Sequence, residues 1–324
     1  MLGHALPAIL ISSILFSFCV GPEGFSISYL FDGFRDANSF QSQILWQLRL
    51  PRTLSCAVVG GALAVAGLLL QLLLENPLAE PYTLGLSGGA TLGSLLALFF
   101  GIQPLALTLP IGAIMGCLLV TFLLLSAVRM GHLSSNRNLI LAGVMISLFS
   151  GSVIVLIISL FEPDRLFIAI QWMMGHFGSE RDTWWPMSTL ALTAVSGWIL
   201  LSHRQADALL LGEDLSKSAG INPERLRVRL IVAVAALTAF STAIAGLVGF
   251  VGLMAPHGAS HLMGTRRLRS VFIPTLSLGA TLVVLADTFG RCLGQGREIP
   301  AGSLVALLGA PFLVWLLTSK RDTL

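Results

Sequence analysis

The chain has 324 residues, of which 55% are hydrophobic and only 11% charged, with 19 basic and 16 acidic side chains and a net charge of +3. A soluble domain carries roughly 25% charged residues, so this composition excludes a solvated globular surface and points to a polytopic helical membrane protein. Cys19, Cys56, Cys117 and Cys292 are dispersed among apolar neighbours, show no metal-ligand spacing and read as packing residues.

The first apolar segment, 5–20, lacks the basic flank and small-residue cleavage site of a secretory signal and reads as a retained helix. Further apolar segments follow at 54–74, 84–101, 105–128, 139–161, 184–201, 230–263, 271–291 and 302–318. As one helix, 230–263 would be about 51 Å long, against a hydrocarbon core of ~30 Å. It should therefore turn near Gly246, Gly249 and Gly252. That predicts an all-α fold with ten transmembrane helices in a single domain over 1–324. Spans one to six fall in 1–202, a polar segment in 203–229, and spans seven to ten in 230–324. With the N-terminus inside, 12 of the 19 basic residues lie on the inner side and 7 outside. Reading 230–263 as one span would move the Arg266–Arg269 cluster and the Lys320-Arg321 tail outside, against the positive-inside tendency.

Gly85, Gly89 and Gly93 form two successive GxxxG steps and Gly112 with Gly116 another, a spacing that lets helices approach closely in lipid. A faint internal repeat is also present. Arg49-Leu50-Pro51-Arg52 leads into a span and then into Asn76-Pro77-Leu78-Ala79-Glu80-Pro81. Arg225-Leu226-Arg227-Val228-Arg229 leads into a span and then Ala255-Pro256-His257. The first copy starts outside and the second inside, the pattern of an inverted repeat with an interrupted helix in each half.

The 203–229 segment carries its own helix punctuation. Gly212, Glu213 and Asp214 open a short piece that Gly220 closes, and Asn222-Pro223-Glu224 restarts a helix with a cap, a first-turn proline and a first-turn acid. The segment 76–81 reads either as a tight inner loop or as the lining of an inner constriction, and 132–137 as a short inner loop. Asp287 and Arg291 are spaced to pair along one helix near the outer end of span nine. No second acid is expected deep within a span, which argues against a proton-driven carrier. HExxH, GxSxG and Walker motifs are absent, so no catalytic constellation supports an intramembrane enzyme. His257 reads as a hydrogen-bonding residue at a helix end.

Several stretches, in order, resemble the permease family that imports iron chelates and cobalamin with the help of a separate ATPase. They include Arg49–Arg52, Glu75–Pro81, Leu84–Ala90, Leu141-Ala142-Gly143, Leu211-Gly212-Glu213, Gly249–Leu253, Pro256-His257, Ala286-Asp287, Glu298–Gly302 and Gly309-Ala310-Pro311. The resemblance implies a second permease subunit, most simply in a homodimer, two cytoplasmic ATPase subunits and a periplasmic or lipid-anchored binding protein. It implies an inner-membrane location, no directly bound cofactor or metal, and ATP used only by the partner ATPase. It implies that Arg49, Arg52 and Arg291 receive acidic residues of the binding protein. It further implies that Leu211, Gly212, Glu213, Leu215 and Gly220 form the coupling element, and Asn76, Leu78 and Ser135 the inner gate. Two departures from the family pattern are Ser260 followed by His261, where an Arg is usual, and Ser216 and Ala219 in the coupling segment. The cargo expected first is an iron chelate, siderophore or haem; cobalamin is the alternative, favoured by the Gln171–Gly178 stretch.

Overall fold

Apolar runs in lipid must satisfy their backbone groups internally, and a helix does so within one segment. The computed structural model describes residues 2–21, 24–25, 40–130, 135–177, 184–209, 221–294 and 299–319. Among them the chain forms α1 (Leu2–Cys19), α2 (Phe40–Leu74), α3 (Leu86–Phe99), α4 (Leu105–Arg129), α5 (Asn136–Ser159) and α6 (Pro163–Met174). It continues with α7 (Trp185–Leu209), α8 (Pro223–Ala245), α9 (Val251–Met263), α10 (Leu268–Leu293) and α11 (Ala301–Ser319). Two residues at each of 20–21 and 24–25 pair as a minimal antiparallel ribbon after α1.

Six of these helices, α2, α4, α5, α7, α8 and α10, are long and apolar enough to cross a membrane; α1, α3 and α11 contain shorter apolar helices. The 230–263 segment breaks where its glycines predict. α8 stops at Ala245, Gly246 takes a φ of 70° and α9 starts at Val251. The restart at Asn222 also follows its sequence signals: the Asn222 side chain accepts the Arg225 N–H at 3.0 Å, with Pro223 and Glu224 in the first turn. One helix was not foreseen. α6 occupies a stretch too short and too mixed to stand out as an apolar segment.

The glycine pattern does what its spacing predicts. A side chain at Gly93 would run into the Gly112 carbonyl, and one at Gly116 into the Gly89 carbonyl, so α3 and α4 touch backbone to backbone. The same close approach recurs where no GxxxG announces it. Gly60 of α2 lies on Gly279 of α10, and Gly67 of α2 on Gly252 of α9. α2 is therefore the central post, packed on α8, α9 and α10, while α8 packs on α2, α3 and α4. The two halves share a plan: a long helix, a break, a short helix and a second long helix. By contrast, α5 turns apolar residues such as Leu141, Met145 and Phe149 outward. In a bilayer those faces meet lipid or another subunit.

Candidate functional site

The N-terminal part of α2 and the C-terminal end of α10 are joined by charge. Arg52 grips Asp287 with its Nε at 3.0 Å and its Nη2 at 2.9 Å from Oδ1. Arg291, one turn along from Asp287, donates its Nε to Oδ2 at 3.1 Å, the pairing expected from the sequence. The Asp287 side chain is 3% exposed and both arginines 10%, so the carboxylate serves two guanidiniums out of water. The arginines also close the end of α1. Arg49 donates to the Phe18 carbonyl at 2.6 Å, and Arg291 to the Ser17 hydroxyl at 2.8 Å and the Val20 carbonyl at 3.3 Å. Cationic donors suit the orphan carbonyls and negative dipole end of a helix C-terminus. Arg52 and Arg291, expected to receive a binding protein's acidic residues, both pair with Asp287. The Arg52 bond was invisible in sequence because its partner lies 235 positions away.

At the other end of α2, Glu75 takes a left-handed conformation and stops the helix. Asn76 Oδ1 then accepts the Leu78 N–H at 3.0 Å, so the two expected gate residues share one tight turn. Ser135 caps α5 by accepting the Asn138 N–H at 3.2 Å, and it is exposed. Its neighbour Asn136 accepts from Arg227 of α8 at 2.9 Å. α5 also packs on the turn Pro81–Leu84: Ser147 donates to the Tyr82 carbonyl at 2.9 Å, and Gly143 leaves room for Thr83 and Leu84. Asn76 and Leu78 are therefore brought together, with Ser135 on the helix that braces the same connection. If these three form an inner gate near a dimer axis, cysteines at Ser135 of two subunits should cross-link in at least one nucleotide state. Failure in every state would remove Ser135 from the gate.

The segment 75–85 connects α2 to α3 and carries the acid Glu80 ahead of the short turn Pro81–Leu84. Glu80 Oε2 accepts the Phe250 N–H at 3.1 Å, just ahead of α9. α9 has 13 residues and is about 20 Å long, and this bond sits at its start. Gln71 secures the same junction, donating to the Gly252 carbonyl at 3.1 Å and the Ala79 carbonyl at 3.4 Å. The Gly252 carbonyl is open to it because Pro256, four residues on, has no N–H to donate. Residues 171–177 reach this place too. His176 N–H donates to the Ala245 carbonyl at 2.9 Å and Gly302 N–H to the Gly175 carbonyl at 3.1 Å. A cavity of about 360 Å³ lies here, with Glu80, Tyr82, Met173, Met174, Phe250 and Ser303 in its wall. His257 sits within α9 rather than at its end, its ring edge-on to Phe312 at 6.0 Å.

The coupling residues Leu211, Gly212, Glu213, Leu215 and Gly220 lie outside the described residues. Their flanks are anchored. Asp207, near the end of α7, accepts the Leu268 N–H at 2.7 Å and so caps α10. No group of three His, Cys, Asp or Glu able to hold a metal occurs among the described residues, and none of the four cysteines forms a disulfide.

An all-helical membrane bundle with two helix breaks meeting at its centre is a transporter architecture, and residues 9–319 match the model of the FecCD transport family. The chain belongs to that family. It is similar to the vitamin B12 import system permease protein BtuC of Vibrio cholerae, 39% identical over 291 residues, 88% of this chain and 86% of that one. The Escherichia coli O9:H4 protein of the same name is 37% identical over 320 residues, covering 98% of this chain and 94% of its own. A solved structure described as an inward-facing conformation of a metal-chelate type ABC transporter superposes with a TM-score of 0.86 at 28% identity, covering 98% of this chain and 99% of that one.

Proposed function

We propose that the chain is the transmembrane permease subunit of a binding-protein-dependent ABC importer and that its cargo is cobalamin. The observation that carries the cargo is the similarity to BtuC proteins along nearly the whole chain. This reverses the order in which the sequence alone ranked iron chelates and cobalamin. An iron chelate stays as the second reading, on the strength of the metal-chelate type structural neighbour. The permease makes no chemistry of its own; two separate cytoplasmic ATPases supply the energy through the 203–229 segment. A second permease subunit, a homodimer in the simplest case, completes the pathway, and a periplasmic or lipid-anchored binding protein delivers cargo at the arginine-rich outer end. The complex sits in the inner membrane.

Ten spans fit this reading, formed by every helix except α6, with the halves led by α2 and α8 inverted relative to each other. The 264–269 turn and the C-terminus then share the inner side. A cysteine at Arg266, in a background without native cysteines, should resist an impermeant thiol reagent in intact cells. Labelling as strong as at a cysteine placed at Arg35 would overturn the span count.

The transport class is tested in proteoliposomes holding the permease, its ATPase and the binding protein. Uptake should need ATP on the inner side and persist when ion gradients are collapsed. Uptake that follows an ion gradient without ATP would make the protein a secondary carrier.

A further inference from the structure

One carboxylate joins the two helix breaks. Glu80 opens the turn Pro81–Leu84, where its carbonyl accepts the Thr83 hydroxyl at 2.6 Å. Its side chain crosses to the other half of the molecule and takes the Phe250 N–H at 3.1 Å. That N–H is among the orphan donors at the start of α9, and the carboxylate satisfies it. Phe250 also has a φ of 65°, a backbone conformation that bulky side chains avoid. The bond to Glu80 therefore holds a residue that would otherwise relax.

Each side of this bond is fastened to a different wall helix. On the Glu80 side, Ser147 of α5 holds the Tyr82 carbonyl at 2.9 Å. On the Phe250 side, the ring lies so close over Gly309 of α11 that a side chain there would collide with it. The cavity opens beside the bond, between Tyr82, Met174 and Ser303. The Glu80–Phe250 bond thus lies on a path between α5 and α11, at the edge of the cavity.

We propose that Glu80 is a positioning residue for transport: its carboxylate locks the break before α9 to the turn after α2, so that α5 and α11 move as one unit. This rests on the importer reading above. It requires the reach of the side chain, not its charge, and a pair of substitutions separates the two. Glu80→Gln keeps an oxygen within reach of Phe250. Glu80→Asp keeps the charge and is one methylene shorter.

The readout is labelled cobalamin moved per ATP hydrolysed by the permease–ATPase complex in proteoliposomes supplied with binding protein. Glu80→Gln should stay within about twofold of the wild type. Glu80→Asp should lose about tenfold, the equivalent of one hydrogen bond, while ATP hydrolysis continues. Gly309→Ala, which displaces the Phe250 ring without touching the carboxylate, should lower the ratio in the same direction. A wild-type ratio for Glu80→Asp overturns the proposal. So does a failing Glu80→Gln beside a working Glu80→Asp, which would assign the role to charge. If Glu80→Asp does not assemble, a wild-type ratio for Gly309→Ala overturns it. No cobalamin movement by the wild-type complex would instead sink the cobalamin reading, and the same ratio would then be read with a ferric siderophore as cargo.

Discussion

Replacing Asp287 with Leu should cost about 3–5 kcal/mol of stability, because it leaves buried guanidiniums without their shared carboxylate. The Asp287 side chain is 3% exposed and bonds Arg52 and Arg291, so solvent cannot take over its role. The damage should spread to α1, whose last carbonyls Arg291 holds. Equilibrium unfolding of the purified permease in detergent would read the loss. An Arg52→Leu/Asp287→Leu double variant should recover part of it, since removing both partners avoids one stranded charge. A single variant within about 0.5 kcal/mol of wild type, the range of ordinary surface changes, would mean the cluster does not hold the outer ends together. The geometry also decides how the docking proposal should be tested. Reversing Arg52 would break this cluster, so Arg49→Glu is the cleaner probe. It should weaken capture of an acidic binding protein and flatten its salt dependence, as expected for a rim charge screened over about 8 Å. Unchanged capture would remove Arg49 from docking and leave it a structural role at the end of α1.

Leu215→Asp is expected to abolish uptake while leaving the permease in the membrane. In the proposed mechanism Leu211 and Leu215 enter an apolar groove on the ATPase, with Glu213 beside a basic residue there. A carboxylate in that groove is costly unless it finds a partner. The flanks give the segment something to push on. Asp207 ties the end of α7 to the first turn of α10, and α10 carries Asp287 near its far end. In that mechanism a movement of the segment would pass to α10, which carries the arginine cluster near its far end. The comparison is uptake against the amount of ATPase that co-purifies. Normal uptake with normal ATPase retention would take the segment out of the mechanism.

The elements legible in the sequence were those set by local chemistry. Gly246 and Gly249 marked the break in 230–263 because a helix of that length overruns the bilayer. Asn222-Pro223-Glu224 marked a helix start because capping needs only neighbours. The GxxxG steps marked sites of close helix approach because small residues recur at helical spacing, and the structure pairs α3 with α4 there. Arg52–Asp287 and Glu80–Phe250 were hidden because each joins residues far apart in the chain, 235 positions in the first case and 170 in the second. No periodicity encodes such a bond. α6 was missed because its apolar run, Leu166–Met174, is too short to read as a span. The Arg49, Arg52 and Arg291 grouping was legible as a set of cations at one end, whereas the burial of Arg52 needed the packing of α2 on α10. Pro256 sits inside α9, and Gln71 uses the carbonyl it frees.

The most direct test sets two cargoes against each other in the same vesicles. Proteoliposomes carrying the permease and ATPase would be given the binding protein and ATP, with labelled cobalamin or a labelled ferric siderophore outside. The account predicts ATP-dependent accumulation of cobalamin that excess unlabelled cobalamin abolishes and the siderophore leaves untouched. Accumulation of the siderophore with none of cobalamin would contradict it.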